Sequence, residues 1–484
     1  MLDRAPTPVR QSFDLLRVPV LGRVLRWRHA RLTVQLPMLL LAGIIVYDGL
    51  TGPQTAPLNL AGVAPWIHWR GLVVLGLLFV GNVSCFACPF VLPRAVGRRH
   101  WSPRWNWPRR LRSKWLAVLL LLAFFWAYEV CALWSSPWWT AWLVLGYFVT
   151  AFAVDVCFRG AAFCKYVCPI GQFNYVQSLM SPLEVTMRVP QVCADCRTKD
   201  CIQASLPRAD DANRGCALGL YLPHKAGNFD CTLCLECVHA CPRDNIGLTP
   251  VVPGAELWRD RPRAGIGRFA RRPDVAALVL LLVFAAFANA AGMVGPVLEV
   301  QDRLTAALRL NSPFWITTAL LLLAVVVLPL LLAGAASAVS HAWSGDPGRR
   351  LDAACRFICA FAPLGFGMWL SHYCFHFFSS PEALVPAGQR FLADLGLHEG
   401  PTWICNCCVT VADWLLRLEI LFLDLGLLLS LYAVYRIARE RRPETAQALK
   451  AFAPWALILT LLFTVGVWIM FQPMEMRGMT ELAR

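Results

Sequence analysis

The chain has 484 residues, 57% of them hydrophobic, with a mean hydropathy of +0.53, a formal net charge of +15 and 20 cysteines. Apolar runs of about 20 residues recur, long enough for a helix to cross a bilayer, which excludes an ordinary soluble domain. The positive charge then reports basic loops on one membrane face and not a nucleic-acid surface, and so many cysteines in a long intramembrane chain point to metal ligation in place of a disulfide framework.

Residues 1–32 form a basic N-terminal segment with Arg4, Arg10, Arg17, Arg23, Arg26, Arg28 and Arg31 and no apolar h-region, so no cleavable signal peptide is expected. Phe13, Leu15, Leu16, Val20, Leu21, Val24 and Leu25 suit a short amphipathic helix on the membrane surface, with a loosely ordered basic leader as the alternative. Candidate spans follow at about 33–50, 71–91, 115–134, 138–158, 274–297, 314–340, 353–378, 409–436 and 451–472. Arginines and lysines crowd the loops after the second and eighth spans. The positive-inside rule therefore places the N-terminus and those loops in the cytoplasm and the C-terminus outside. The expected fold class is an all-α polytopic membrane protein of about nine transmembrane helices carrying an inserted cytoplasmic domain of the bacterial two-cluster ferredoxin type. The segments are 33–180, a four-helix membrane domain with two Cys-Pro motifs; 181–252, the ferredoxin-type domain; 253–273, a basic linker suited to anionic headgroups; and 274–484, a five-helix membrane domain.

The inserted domain contains "CTLCLECVHACP", with Cys231, Cys234, Cys237 and Cys241 followed by Pro242. Three thiolates at every third position wrap one iron–sulfur cluster. The fourth leaves toward a second cluster, with the proline expected to start a helix. The partner run is Cys193, Cys196 and Cys201, and Cys216 follows a long insertion. The crossed arrangement assigns Cys193, Cys196, Cys201 and Cys241 to one [4Fe–4S] cluster and Cys216, Cys231, Cys234 and Cys237 to the other. Zinc, or a single-cluster domain, is the competing reading.

At the inner ends of the second and fourth spans stand Cys85 with Cys88 and Cys164 with Cys168, each pair closing on a proline, Pro89 or Pro169, in a faint internal repeat. Four thiols at one depth suit a further Fe–S cluster or redox-active thiols; small apolar filler is the bland alternative. Cys131 and Cys157 are single and read as filler.

"SCFACP", "FCKYVCPIG" and "CTLCLECVHACP", in that order after paired spans, resemble the membrane polyferredoxins of the NapH, NosR and CcoG type over residues 30–250, about half the chain. The resemblance implies [4Fe–4S] electron transfer between the quinone pool or a cytoplasmic donor and a partner redox protein, which in that family is periplasmic or copper-linked. It also implies a bacterial inner-membrane location. The first Cys-Pro motif is one residue shorter than the family pattern, and the last five spans have no counterpart in the simple members.

No Gly-x-Gly-x-x-Gly turn or Walker lysine is present, so electrons are expected from a protein or a quinol and not from a nicotinamide. An oxidoreductase component is compatible with this; the donor and direction stay open. The alternative is a copper-reducing or copper-handling protein, for which Cys405, Cys407 and Cys408 in "CNCC", with Met474, Met476 and Met479, offer soft ligands on the outer face. A second site is expected in the C-terminal half. His372 and His376 share a helix face, and Asp413, Arg417, Glu419 and Asp424 lie on the next span, where intramembrane ionisable groups are functional candidates. The histidines would serve as copper or haem ligands, or as proton acceptors beside a quinol; haem is the weakest of these, with only His68 and His398 available opposite. Plain hydrogen-bonded core histidines are the bland reading.

Overall fold

The structure is a computed structural model that describes residues 13–203 (Ser102 apart), 215–397 and 413–474. It is 72% helical with little sheet. Among the described residues, eight helices are long and apolar enough to cross a membrane. They are α1 (Ala30–Thr51), α2 (Leu60–Phe79), α4 (Pro137–Cys157), α5 (Pro273–Ala291), α6 (Phe314–Ser344), α7 (Arg350–Ser379), α8 (Trp414–Arg441) and α9 (Thr445–Met470). The ninth expected span is α3 (Trp115–Val130), whose 16 residues reach only about 24 Å at 1.5 Å per residue.

The second span is not where hydropathy placed it. The expected helix over 71–91 is α2, which starts at Leu60 and stops at Phe79. Gly81 then takes φ +143°, and Asn82 caps the separate short helix Val83–Phe86 through the N–H of Cys85. The run "LVVLGLLFVGNVSCFACPFVL" stays apolar across this break, so a hydropathy window slides over it. Upstream, Pro65, His68 and Arg70 lower the hydropathy of what is in fact the first half of the helix.

The chain divides into two compact units, each assembled from three separated stretches. Unit 1 comprises residues 1–39, 76–112 and 150–268; unit 2 comprises 40–75, 113–149 and 269–484.

In unit 2, α5 and α7 are the enclosed helices: 83% and 94% of their apolar windows are buried, against 22% for α6. A helix hydrophobic on all sides and buried on all sides is the centre of a bundle. Small residues let α7 and α8 close in: a Cβ on Gly367 would lie 2.5 Å from the Phe422 carbonyl, and one on Gly426 would lie 2.8 Å from the Pro363 carbonyl. Asp48 and Arg390 form a buried pair at 2.5 Å.

Unit 1 is built on an antiparallel hairpin, β1 (Leu183–Met187) with β2 (Ile246–Pro250), in which Val185 pairs with Leu248. Val185, Ile246 and Leu248 form a core with Leu16, Leu222, Leu233, Leu235 and Val238, and Cys201, Cys237 and Cys241 pack against it. Asp14 ties the N-terminal segment to this hairpin, accepting from Leu248 N–H at 3.0 Å and from Arg188 at 2.7 Å.

Candidate functional site: three sets of four cysteines

Two small cavities in unit 1 carry the cysteines of the inserted segment. Cys193, Cys196, Cys201 and Cys241 line one. Cys216, Cys231, Cys234 and Cys237 line the other. These are the two quartets that the crossed reading groups together.

The local backbone explains the split. Leu233 and Leu235, between the cysteines, both adopt left-handed backbone at φ +52° and +59°. That conformation costs a residue with a Cβ roughly 1–2 kcal/mol. It is held here because both leucine side chains are buried in the core, at 7% and 3% exposure. Cys231, Cys234 and Cys237 are left lining the cavity. Cys237 lies on the helix Glu236–Ala240, whereas Cys241 sits just past its end in extended backbone, φ −80° and ψ 110°, and so lines the other cavity. Pro242 does not start the expected helix. It opens a turn with Asp244 at φ +45° that leads straight into β2, because the hairpin demands extended chain from Ile246 onward.

Hydrogen bonds reach the sulfurs. Asn245 donates its backbone N–H to Cys241 Sγ at 3.4 Å and its side-chain amide to Cys193 Sγ at 3.2 Å. The same side chain is fixed to both the N–H and the carbonyl of Val189, at 2.9 and 2.7 Å. Lys225 lines the second cavity and is itself held by Glu184 at 2.9 Å and by the Gly227 carbonyl at 2.6 Å.

The third set comes from the two Cys-Pro motifs. In both, the cysteine is the residue before a helical turn and the proline is its first residue: Cys88 before Pro89–Val91 and Cys168 before Pro169–Gln177. The faint sequence repeat therefore has a structural counterpart. The four thiols Cys85, Cys88, Cys164 and Cys168 lie near enough to feel one another's charge. Gly171 N–H donates to Cys168 Sγ at 3.2 Å, and Asn174 donates to Cys85 Sγ at 3.4 Å. The loop carbonyls are pinned from outside. Arg31 bonds Phe86 and Cys85, Gln35 bonds Cys88, and Gln172 bonds Cys164 and Lys165. Arg94 stands beside the thiols and pairs with Asp155 at 2.9 Å. Asp155 also accepts from Phe163 N–H at the start of the π-helical turn that carries Cys164.

Burial pushes these thiols up: Cys85 to about 12, Cys201 to about 11 and Cys216 to about 12. Cys196 is drawn down by the backbone N–H of Lys199. Buried thiols at neutral pH are protonated, so ligation has to displace protons, and cationic Arg94, Arg31 and Lys225 favour the thiolates that result. Among the described residues, no group of three or more His, Cys, Asp or Glu side chains is arranged to hold a single metal ion. A [4Fe–4S] cluster takes one thiolate at each of four separate irons, so its ligands stand wider apart than those of one ion. Four cysteines lining one small cavity, with N–H donors to sulfur, fit that larger group.

In unit 2, His372 and His376 are buried at 0% and 6% exposure on α7 with ring centroids 4.9 Å apart. His376 Nε2 has no partner among the described residues. Glu419 on α8 is 3% exposed, while Arg417 is exposed. Cys405, Cys407, Cys408, His398, Met476 and Met479 lie outside the described residues.

Sequence reasoning passed over Arg94, Asp155, Asn174, Lys225 and Asn245. Asp155 inside an apolar span was a usable signal; the others are polar residues beside cysteines with no spacing rule of their own. Compared with protein-family models, with curated proteins and with solved structures, the chain matches none.

Proposed function

We propose that this chain is an iron–sulfur electron-transfer protein of the bacterial inner membrane, moving electrons between a quinol or cytoplasmic donor and a partner redox protein. The observation that carries the reading is the crossing. Cys241 lies with Cys193, Cys196 and Cys201, and Cys216 lies with Cys231, Cys234 and Cys237, so each cavity gathers four thiols from distant stretches. Two-cluster ferredoxins use this exchange, and the spacing of Cys231, Cys234, Cys237 and Cys241 before Pro242 is theirs rather than that of zinc ligand sets.

On this reading the two quartets hold one [4Fe–4S] cluster each, and Cys85, Cys88, Cys164 and Cys168 hold a further one. Such clusters supply reversible one-electron transfer at a potential set by hydrogen bonding and exposure. This chain's residues do the rest. Asn245, Gly171 and Asn174 direct N–H groups at sulfur, Arg94 and Lys225 offset the negative charge, and the buried leucines keep water from the cavities. The basic loops support a cytoplasmic side for the cysteine segment and an outer side for the C-terminus. His372, His376 and Glu419 are proton acceptors for a quinol in the membrane.

Anaerobic purification tests the reading. About eight irons, with matching acid-labile sulfide, are expected from the two quartets, and about four more from the third set. Cys241→Ser should remove one paramagnetic signal and Cys164→Ser a different one. Protein that takes up zinc and refuses iron and sulfide would overturn it. His372→Ala/His376→Ala should abolish reduction by quinol and spare reduction by dithionite.

A further inference from the structure

Unit 1 also contains an open groove of about 1050 Å³ between the hairpin, the N-terminal segment and the stretch around residues 255–264. Its charges do not balance. The three carboxylates that line it are engaged: Asp14 by Arg188 at 2.7 Å, Glu184 by Lys225 at 2.9 Å, and Glu256 by Arg263 at 3.4 Å. That leaves Arg17, 67% exposed and only 3.9 Å from the already committed Asp14, together with the exposed Arg259 and Arg261, which pair with no carboxylate among the described residues. Beneath them Arg188 Nη2 and Asn228 Oδ1 are buried without a partner among the described residues, so a donor and an acceptor remain to be met. Val189 and Val252, 49% and 62% exposed, add apolar surface at the rim. Arginines around exposed apolar side chains, with unmet polar groups below, are the makings of a protein interface.

The floor of the groove is also a wall of the cysteine cavities. Leu222 lines the groove and both cavities, Pro223 lines the groove and the first, and Val185 and Lys225 line the groove and the second. One layer of side chains thus separates the groove from both quartets.

We propose that this groove is the docking surface for an acidic, soluble redox protein. The excess of guanidinium charge selects a negatively charged partner and steers it in. The shared floor brings the partner to both quartets at once; this consequence rests on the reading of the quartets as cluster sites, while the docking itself does not.

The test uses the full chain in nanodiscs of zwitterionic lipid, with a soluble two-cluster ferredoxin of net negative charge as the probe and biolayer interferometry as the readout. Wild-type protein should bind, and more weakly as salt is raised. Reversing two of the three unmatched arginines, Arg259→Glu with Arg261→Glu, should weaken Kd about tenfold or more; Arg259→Lys with Arg261→Lys should keep most of the affinity. Arg268→Glu, an exposed neighbour that does not line the groove, should change it far less. Absence of wild-type binding, equal affinity in the charge-reversed variant, or loss of binding when phosphatidylserine is included in the disc would each overturn the proposal, the last by assigning the groove to lipid headgroups. Iron and sulfide are measured on the same samples. Binding intact without iron would defeat the cluster reading and leave the groove standing; iron present with binding indifferent to salt and to the reversed charges would defeat the groove alone.

Discussion

The N–H of Cys216 donates to the carbonyl of Cys201 at 2.7 Å, so a cysteine of one quartet is hydrogen-bonded to a cysteine of the other. The residue between this bond and the preceding segment is Gly215, where a Cβ would lie 2.5 Å from the Asp200 carbonyl and 2.8 Å from the Cys201 carbonyl. Backbone oxygens cannot swing aside as a side-chain tip can. Gly215→Ala should therefore destabilise this corner by about 1–3 kcal/mol, the usual range for overpacking. Both quartets should lose iron together, read as parallel loss of two paramagnetic signals with the third spared.

Asn245 is a positioning residue for the first quartet. Asn245→Ala removes the amide donor to Cys193 and leaves Val189 without its side-chain partners. With fewer N–H groups aimed at sulfur, the more negative reduced state is less well stabilised, so that cluster's reduction potential should fall. A redox titration followed by electron paramagnetic resonance reads this directly, and an unmoved potential would remove Asn245 from the site.

Asp155 and Arg94 form a pair with side chains 1% and 13% exposed. Breaking such a pair by removing one partner costs about 3–5 kcal/mol. Asp155→Asn should lower the thermal stability of the protein in detergent and empty the set around Cys164 while the two quartets keep their iron. Asp155→Asn with Arg94→Gln should recover part of the stability, because no lone charge is left behind.

Glu256 gives a pH signature. Burial raises its carboxyl from 4.5 to about 7, with Arg263 pulling in the opposite direction. Its folded pKa exceeds its unfolded one, so the folded state binds the extra proton. Stability is then highest below the unfolded pKa and declines as pH rises from about 4.5 toward 7, levelling off above. Glu256→Gln should flatten that stretch of the curve in melts taken across this range. Gly227 beside it takes φ +73°, and a Cβ there would meet the Glu256 carboxylate, so a larger residue would have to displace that side chain.

Much of this protein was legible in one dimension. Apolar runs long enough to cross a bilayer need nothing but a local count, and the spacing of Cys231, Cys234 and Cys237 is a property of one loop. The parting of Cys241 from Cys231, Cys234 and Cys237 is also written in the run's own spacing, since in that pattern the fourth cysteine serves the other cluster, whereas the place of Cys216, after a long insertion, is set by the fold. Other features were set by contacts between distant stretches. The end of α2 at Phe79 depends on Gly81 and Asn82 turning the chain, which hydropathy cannot register because the residues on either side are equally apolar. Arg94 meets Asp155, Asn174 meets Cys85, and Asn245 meets Cys193 only because the chain is folded so that segments far apart in sequence pack together. The groove beside both quartets is likewise invisible in sequence: its unmatched arginines are defined by which carboxylates the fold has already engaged. Periodicity and spacing are encoded within a single turn or loop, whereas charge balance and thiol environment are sums over neighbours that only tertiary packing brings within reach.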